Sequence, residues 1–364
     1  MKVLITGAHF TPAAAVIGEL KKYPEVKQII YVGRKTTMEG DRSKSPESQI
    51  LPGMGVRFIP IITGRLQRSF TIYTIPSLSK IPMGILMALY IILAQKPDVI
   101  LSFGGYVAVP VVFAGWLFSI PIIIHEQGIV SGLANRISAF FADKIAVSFP
   151  GANNFDQSKT IVTGNPLRKD ILDKGRVNHA KEEKLPVVLI MGGNQGSHVI
   201  NLAVEEILNK LLQIANVTHV TGDNKFGDYE RLSNLGKSER FKERYLVKKW
   251  IGEDYGEVLS KVDLVICRGG ANTLTEVAYM GKPALVIPIP YLYKNEQTEN
   301  AEYFKDLGLV RILPQSRLSG NSLLENLKSI FKDLPQMKKK AKEVSKAIIP
   351  NAAKRLALET ISMI

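Results

Sequence analysis

Three glycine-rich turns, Thr6-Gly-Ala-His9, Gly192-Gly-Asn-Gln-Gly-Ser197 and Gly269-Gly-Ala-Asn-Thr273, each follow an apolar run and precede a helix-like segment. A turn so placed exposes the unpaired amides of a helix's first turn, where the dipole is positive, and can hold an anion. One such turn is weak evidence, because glycine also serves close packing. Three, spread over both halves, favour anion binding. Few groups beside them could move a proton. His9 and His125 end strand-like runs, and each could act as general base near neutral pH or be structural. Glu276, at the start of a helix, could accept hydrogen bonds from vicinal hydroxyls such as those of a ribose, or simply favour the helix start.

Several chemistries are disfavoured. No Gly-x-Gly-x-x-Gly follows the first strand and no Gly-Lys-Ser/Thr closes the second turn, which argues against hydride transfer and a P-loop. No Asp-x-Asp pair offers a handle for a divalent ion on a nucleotide diphosphate. A diphosphate leaving group would then be stabilised by helix N-termini and cations, with Arg168 and the Gly269–Thr273 turn as candidates.

The elements that must position these residues show an internal repeat. Asp98-Val-Ile-Leu-Ser-Phe-Gly-Gly105 is echoed by Asp263-Leu-Val-Ile-Cys-Arg-Gly-Gly270, and each is followed by a helix-like segment and a proline-opened strand. Two such units predict twin doubly wound domains with a ligand in the cleft between them. In the first half, strands are expected at Val3–Thr6 and Ile29–Val32, with a helix over Pro12–Lys22. Arg34–Pro52 reads as a surface loop. The apolar stretch Leu66–Ala94, flanked by Arg65, Arg68, Lys80 and Lys96, is densest over Ile81–Ala94. That core is shorter than the roughly 20 residues a bilayer span needs. It reads as a packed helix whose second face could dip into a membrane. Lys169–Pro186 reads as a linker, and Leu323–Ile364 as helical with breaks at Pro335 and Pro350.

The 364 residues suit two domains, and 46% hydrophobic with 22% charged residues is a globular balance. Cys267 is the only cysteine, so no internal disulfide forms, which fits a reducing compartment. Met1–Gly7 passes directly from strand to turn with no readable secretory signal, and a cytoplasmic home is expected. A net charge of +14, from 47 Lys+Arg against 33 Asp+Glu, attracts phosphates, nucleic acid or an anionic membrane. No nucleic-acid-binding signature is present, and no nucleic-acid partner is expected. The lysines from Lys338 to Lys346 have a solvated helix face as their plain alternative.

The motifs in order are Gly7-Ala-His9-x-x-Pro12-Ala13, Gly104-Gly-Tyr106-Val, His125-Glu-Gln127, Gly132-Leu-Ala-Asn135, Gly164-Asn-Pro-Leu-Arg168, Gly192-Gly-Asn-Gln-Gly196, Trp250-Ile251, Arg268-x-Gly-Ala-x-Thr-x-x-Glu276 and Gln297-x-x-Asn300-Ala301. This run resembles the MurG family, bacterial transferases that add N-acetylglucosamine to the lipid-linked muramyl-pentapeptide precursor of peptidoglycan. The resemblance covers nearly the whole chain. It implies an α/β fold of GT-B architecture, two Rossmann-like domains facing across a cleft. Their extents would be 1–165 for acceptor and membrane, 166–345 for the UDP-sugar, and 346–364 for a helix crossing back.

By that resemblance the donor is UDP-N-acetylglucosamine. Ile251 would hold the uracil and Glu276 the ribose. Asn194, Gln195 and Gly196, with Ala271, Asn272 and Thr273, would hold the diphosphate; Gln297 would contact the sugar and Arg168 would close on the nucleotide. Thr6, Gly7, Ala8, Gly104, Gly105, Tyr106 and Asn135 would receive the polyprenyl-pyrophosphate acceptor, lipid I. His9 is the implied base for its C4 hydroxyl, and direct displacement would invert the donor and give lipid II. No metal site or bound cofactor is implied; divalent ions could stimulate without a dedicated site. Peripheral attachment to the anionic cytoplasmic face of the membrane is implied, through Ile81–Ala94 and Trp116–Phe118.

The chain departs from the family pattern at several points. Thr6–His9 is shorter and poorer in glycine than the family's first loop. Gly128 replaces an asparagine, Asn194 a serine and Asn272 a leucine, and Ala108-Val109 stands for Ser-Gly. These changes bear on sugar and acceptor more than on the nucleotide. Two alternatives stay open: another UDP-sugar enzyme of this fold (a glycolipid transferase or a UDP-N-acetylglucosamine 2-epimerase), or a non-catalytic nucleotide-sugar-binding protein.

Overall fold

The computed structural model describes residues 1–36, 45–64, 74–151, 155–175, 184–193, 195–237, 243–252 and 254–364, the side chains of 74–78 aside. The chain divides into two compact units, Met1–Arg168 with Ile349–Ile364, and Lys169–Ile348.

Unit 1 runs β1 (Lys2–Thr6), α1 (Phe10–Leu20), β2 (Gln28–Gly33), α2 (Pro46–Ile50), β3 (Arg57–Pro60), α3 (Thr74–Gln95), β4 (Val99–Ser102), α4 (Ala108–Leu117), β5 (Ile122–Glu126), α5 (Leu133–Ser138), β6 (Lys144–Val147) and β7 (Thr160–Val162). All of its strands are parallel, in the order β3-β2-β1-β4-β5-β6-β7. Strands covered on both faces favour continuous apolar runs, and Val99–Ser102 and Ile122–Glu126 are buried throughout, turning polar only at their carboxyl ends with Ser102, His125 and Glu126. Side chains alternate between faces: Val3 and Ile5 enter one core with α1, whereas Leu4 enters the other with α3 and α4.

Unit 2 runs α6 (Lys169–Lys174), β8 (Val187–Met191), α7 (His198–Ile214), β9 (Asn216–Val220), α8 (Asp228–Gly236), β10 (Tyr245–Lys248), α9 (Tyr255–Lys261), β11 (Leu264–Cys267), α10 (Ala271–Tyr279), β12 (Ala284–Val286), α11 (Glu296–Asp306), β13 (Val310–Ile312) and α12 (Gly320–Ala347). Its parallel sheet has the order β10-β9-β8-β11-β12-β13. Leu323, Leu327, Ile330 and Leu334 of α12 pack with α7 over Val188 and Ile190. The chain then returns to unit 1 as α13 (Ala352–Ile361), whose Leu356 and Ala357 share a core with Val16 and Ile17 of α1.

The internal repeat holds in atomic detail. Asp98 accepts a hydrogen bond from the Lys2 amide (2.6 Å), and Asp263 accepts one from the Val187 amide (2.8 Å). In each unit this aspartate joins the first strand to the strand that pairs with it at the reversal of order.

Three expectations need correction. The break read at Pro335 is absent, because α12 runs through that proline to Ala347. The surface loop read at Arg34–Pro52 contains α2, capped by the Ser45 hydroxyl on the Ser48 amide, with Ser45, Glu47 and Leu51 buried. The partner for the buried Glu47 is Arg34, at 3.4 Å, a pairing that separation in sequence concealed. The linker read at Lys169–Pro186 begins as α6, whose Asp170 accepts a hydrogen bond from the Gly256 amide of α9 at 3.1 Å. Residues 176–183 of that stretch, and Arg65 and Arg68, lie outside the described residues.

Candidate active site

In an open parallel sheet, ligands bind beyond the carboxyl ends of the strands where the order reverses. In unit 1 that point lies between β1 and β4, and the turns Thr6–His9 and Gly104–Tyr106 meet there. The Phe103 amide donates to the Thr6 carbonyl (2.7 Å) and the Ala8 amide to the Gly104 carbonyl (2.9 Å). Gly105 has φ +82°, and a Cβ on it would lie 2.5 Å from that of Ala8, so the contact admits only glycine. The Thr6 hydroxyl donates to the Val32 carbonyl at 2.9 Å. Thus the Thr6 hydroxyl and the Ala8 amide, both expected to face an acceptor, hold the turn itself, leaving the first-turn amides of α1 for an anion.

His9 is the N-cap of α1 and its side chain makes no capping hydrogen bond. Burial, then the Arg34 charge, lowers its pKa to about 4, so the imidazole is neutral at pH 7. His125 is wholly buried in β5. Its Nε2 donates to the Gly164 carbonyl at 3.2 Å, while Nδ1 has no partner. Burial lowers it to about 4 against the opposing effect of that hydrogen bond. With no exposed nitrogen, His125 is a structural group, and the base reading stays with His9.

Glu126 accepts from the Gly128 amide (3.0 Å), the Gly132 amide (3.1 Å) and Asn135 Nδ2 (2.9 Å). Asn135, expected at the acceptor, also donates to the His125 carbonyl (3.0 Å), and its Oδ1 abuts Gly104 without a hydrogen-bond partner. Asn135 therefore ties the β5 loop beneath the Gly104 turn.

In unit 2 the order reverses between β8 and β11, and the starts of α7 and α10 converge there, with Ser197 and Gly270 as N-caps. Gly196, at φ +72°, rests on the exit of β9: a Cβ there would meet the Thr221 carbonyl oxygen at 1.8 Å. Ala271, Asn272 and Thr273 form the first turn of α10, and Glu276 is buried in its second. Ile251 follows β10, and Gln195 is exposed on the turn. Gln297 behaves differently from expectation. Its Oε1 accepts from the Gly269 (3.2 Å) and Ile289 (3.0 Å) amides, so only its amide nitrogen is left to meet a sugar. Arg168 is the last residue of unit 1, and Asn194 lies outside the described residues.

Arg268 entered the sequence reading only as the first residue of a motif, with no role assigned. It is 9% exposed, and its guanidinium donates to Ser197 Oγ (2.7 Å), the Ile287 carbonyl (2.9 Å) and Gln315 Oε1 (2.8 Å), leaving Nε unpartnered. All three acceptors are neutral. A guanidinium stays charged even when burial pulls its pKa down, as it does here. Burying such a charge without a carboxylate is costly, and an anion at the two helix N-termini would offset it. The available signal was a charged residue closing an otherwise apolar strand. Its neighbour Cys267 is excluded as a nucleophile, because burial pushes the thiol up to about 12. Among the described residues no group of three or more His, Cys, Asp or Glu side chains is placed to hold a metal ion.

Two doubly wound units with paired glycine turns at their switch points have the layout of GT-B architecture, and the matching family models make the class a glycosyltransferase. The glycosyltransferase family 28 N-terminal domain matches residues 6–147 and its C-terminal domain residues 187–356. A UDP-N-acetylglucosamine–N-acetylmuramyl-(pentapeptide) pyrophosphoryl-undecaprenol N-acetylglucosamine transferase of Bacillus cytotoxicus is 32% identical, over 98% of this chain and 97% of that protein. A Clostridium kluyveri enzyme of the same name is 32% identical over 90% and 91%. The crystal structure of Acinetobacter baumannii MurG superposes with a TM-score of 0.75 at 25% identity, covering 99% of each chain. A UDP-GlcNAc 2-epimerase from Neisseria meningitidis, bound to UDP-GlcNAc, shares the fold at a TM-score of 0.65 and 17% identity. The chain belongs to the MurG family.

Proposed function

We propose that this chain transfers N-acetylglucosamine from UDP-N-acetylglucosamine to the C4 hydroxyl of lipid I, giving lipid II with inversion at the anomeric carbon. Family membership supports the donor and acceptor, and Arg268 is the observation that carries the chemistry. A buried cation among neutral acceptors, between the starts of α7 and α10, suits a group that arrives with negative charge and gains more on leaving. Uracil would lie at Ile251, ribose on Glu276, and diphosphate on the amides of Gln195–Gly196 and Ala271–Thr273. Unit 1 would hold the acceptor pyrophosphate at the N-terminus of α1 and at Gly104–Tyr106. His9 would take the C4 hydroxyl proton as that oxygen bonds to the anomeric carbon, and the bond from that carbon to the β-phosphate oxygen breaks to release UDP. A base with a pKa near 4 is weak; an acceptor pyrophosphate beside it would raise that value toward neutrality. Amides and Arg268 would stabilise the leaving group without a protein-bound metal.

The acceptor's polyprenyl chain requires a membrane, and α3 offers a surface for one at the cytoplasmic face. Gly84, Ala88, Ile91 and Ile92 are buried, whereas Met83, Leu86, Tyr90 and Leu93 are exposed on the other side, Tyr90 by 73%. Trp116, Leu117 and Phe118 add exposed apolar area at the end of α4. Among the described residues no helix is long and apolar enough to cross a bilayer, so attachment would be peripheral. The deciding experiment incubates the purified chain with radiolabelled UDP-N-acetylglucosamine and a lipid I analogue, with and without EDTA. Labelled disaccharide lipid is the expected product in both. Epimerised sugar, or donor binding without turnover, would refute the proposal.

A further inference from the structure

Unit 2 contains a run of buried polar side chains that the proposed chemistry does not use. Tyr245, His219, Asn201 and Asp228 are each more than nine-tenths buried, and Asp228 is 0% exposed. Tyr245 OH lies 2.8 Å from His219 Nδ1, and His219 Nε2 lies 3.0 Å from Asn201 Oδ1. Asn201 Nδ2 donates to Asp228 Oδ2 (2.7 Å) and to the Thr221 carbonyl (3.1 Å). Asp228 also accepts from Asn224 Nδ2 (2.9 Å), Arg231 Nη2 (2.6 Å) and His198 Nδ1 (2.9 Å).

These contacts fix every proton in the run. Asn201 must present its amide nitrogen to two acceptors, so its Oδ1 accepts and His219 Nε2 carries hydrogen. His219 Nδ1 then accepts from the Tyr245 hydroxyl, consistent with a neutral ring whose pKa burial lowers to about 3. The run therefore ends in one direction, on the Asp228 carboxylate. Burial works against that charge, but the hydrogen bonds from Asn201, Asn224, Arg231 and His198 outweigh it and hold Asp228 below the usual carboxylate range.

What the carboxylate holds is the support of the glycine turn after β8. Asn201 grips the Thr221 carbonyl, the atom against which Gly196 is pressed. Gly222 closes the same contact, since a Cβ on it would lie 2.3 Å from the Gly196 nitrogen. His198 is the first residue of α7, and its ring lies flat on Phe226 at 3.9 Å and 10°. One side chain thus secures both the wall on which the turn rests and the helix into which it runs. For stability alone, an apolar cluster of similar volume would serve as well.

We propose that Asp228 is a positioning residue of the donor site, acting through Asn201 and His198 to set the Gln195–Ser197 amides against the donor diphosphate. This rests on the donor reading above. The test measures UDP and uridine affinities of the full chain by calorimetry or competition, for the wild type, Asp228→Asn and His198→Ala, alongside donor KM and kcat. Asp228→Asn keeps the shape but turns an amide donor toward donors. UDP affinity should fall roughly 10- to 100-fold, the loss expected when a charge-assisted amide–phosphate hydrogen bond is broken. Uridine, taken at Ile251 and Glu276, should change by less than about twofold, and the loss should appear in donor KM more than in kcat. His198→Ala, at a partly exposed position, should give a smaller loss of the same kind and keeps the test alive if the first variant does not fold. Equal losses for UDP and uridine, or unchanged UDP affinity in both variants, would overturn the assignment. A wild-type chain that binds neither ligand would overturn the donor reading instead, so the two failures are told apart.

Discussion

Replacing Arg268 by methionine separates function from stability more sharply than any other change in this protein. The side chain is buried without a carboxylate, held by Ser197, Ile287 and Gln315. Methionine fills similar volume and removes the desolvation cost of a buried charge, although it leaves the Ile287 carbonyl, Gln315 Oε1 and Ser197 Oγ without that donor. These opposing effects, each about 1–3 kcal/mol, should leave the Tm of the free protein within about 5 °C of wild type. Ligand binding should respond differently. One unit charge about 5 Å from another at an effective dielectric near 20 contributes roughly 3 kcal/mol. Loss of that term predicts UDP binding weakened on the order of 100-fold. The turnover defect should be larger still, because charge on the leaving oxygen peaks in the transition state. Thermal unfolding with and without UDP is the assay: wild type should be raised by UDP and Arg268→Met should not, while uridine affects both alike. A variant whose Tm falls by more than about 10 °C, or that keeps its UDP shift, would refute the argument.

Other consequences can be checked directly. His9→Ala should lower kcat by roughly 100- to 10,000-fold with UDP affinity unchanged; near-normal turnover would end its role as base. The acid limb of kcat/KM should fall toward pH 4 rather than 6.5, because only the neutral imidazole can accept the proton. Acid should also destabilise each unit. His125 and His219 sit at about 4 and about 3 when folded, so the unfolded chain takes up protons first as pH drops below about 6.5. Stability is full above that pH and should decline by about 1.4 kcal/mol per pH unit for each histidine, down to their folded values, in urea titrations at pH 7 and 5.5. A flat profile would contradict it. Leu86→Glu with Tyr90→Glu should reduce flotation with anionic vesicles while leaving Tm unchanged, since both side chains are exposed.

Much of the site's outline was readable from residue order. Apolar runs such as Val99–Ser102 can be buried on both faces only in a covered parallel sheet, and glycines directly after such runs mark where helix N-termini open. Local pattern therefore determined the strands that lead into the glycine turns, the three turns and the twofold repeat of Asp98 and Asp263, whereas strands such as β6, β9 and β10 were not read. It could not say which turn groups face outward. That Thr6 and Ala8 support their own turn, and that Gln297 carries the Gly269 and Ile289 amides, depends on partners far away in the chain. The same holds for α2, whose Glu47 is buried because Arg34 reaches it. His125 and His9 looked alike as residues at strand ends, and only the tertiary structure separated them: His125 is fully buried with Nε2 on the Gly164 carbonyl, whereas His9 is half-buried at the N-cap of α1. The roles of Arg268 and Asp228 were not legible for one physical reason: the cost of a buried charge is set by its surroundings in three dimensions, and sequence records neighbours along the chain, not across the sheet.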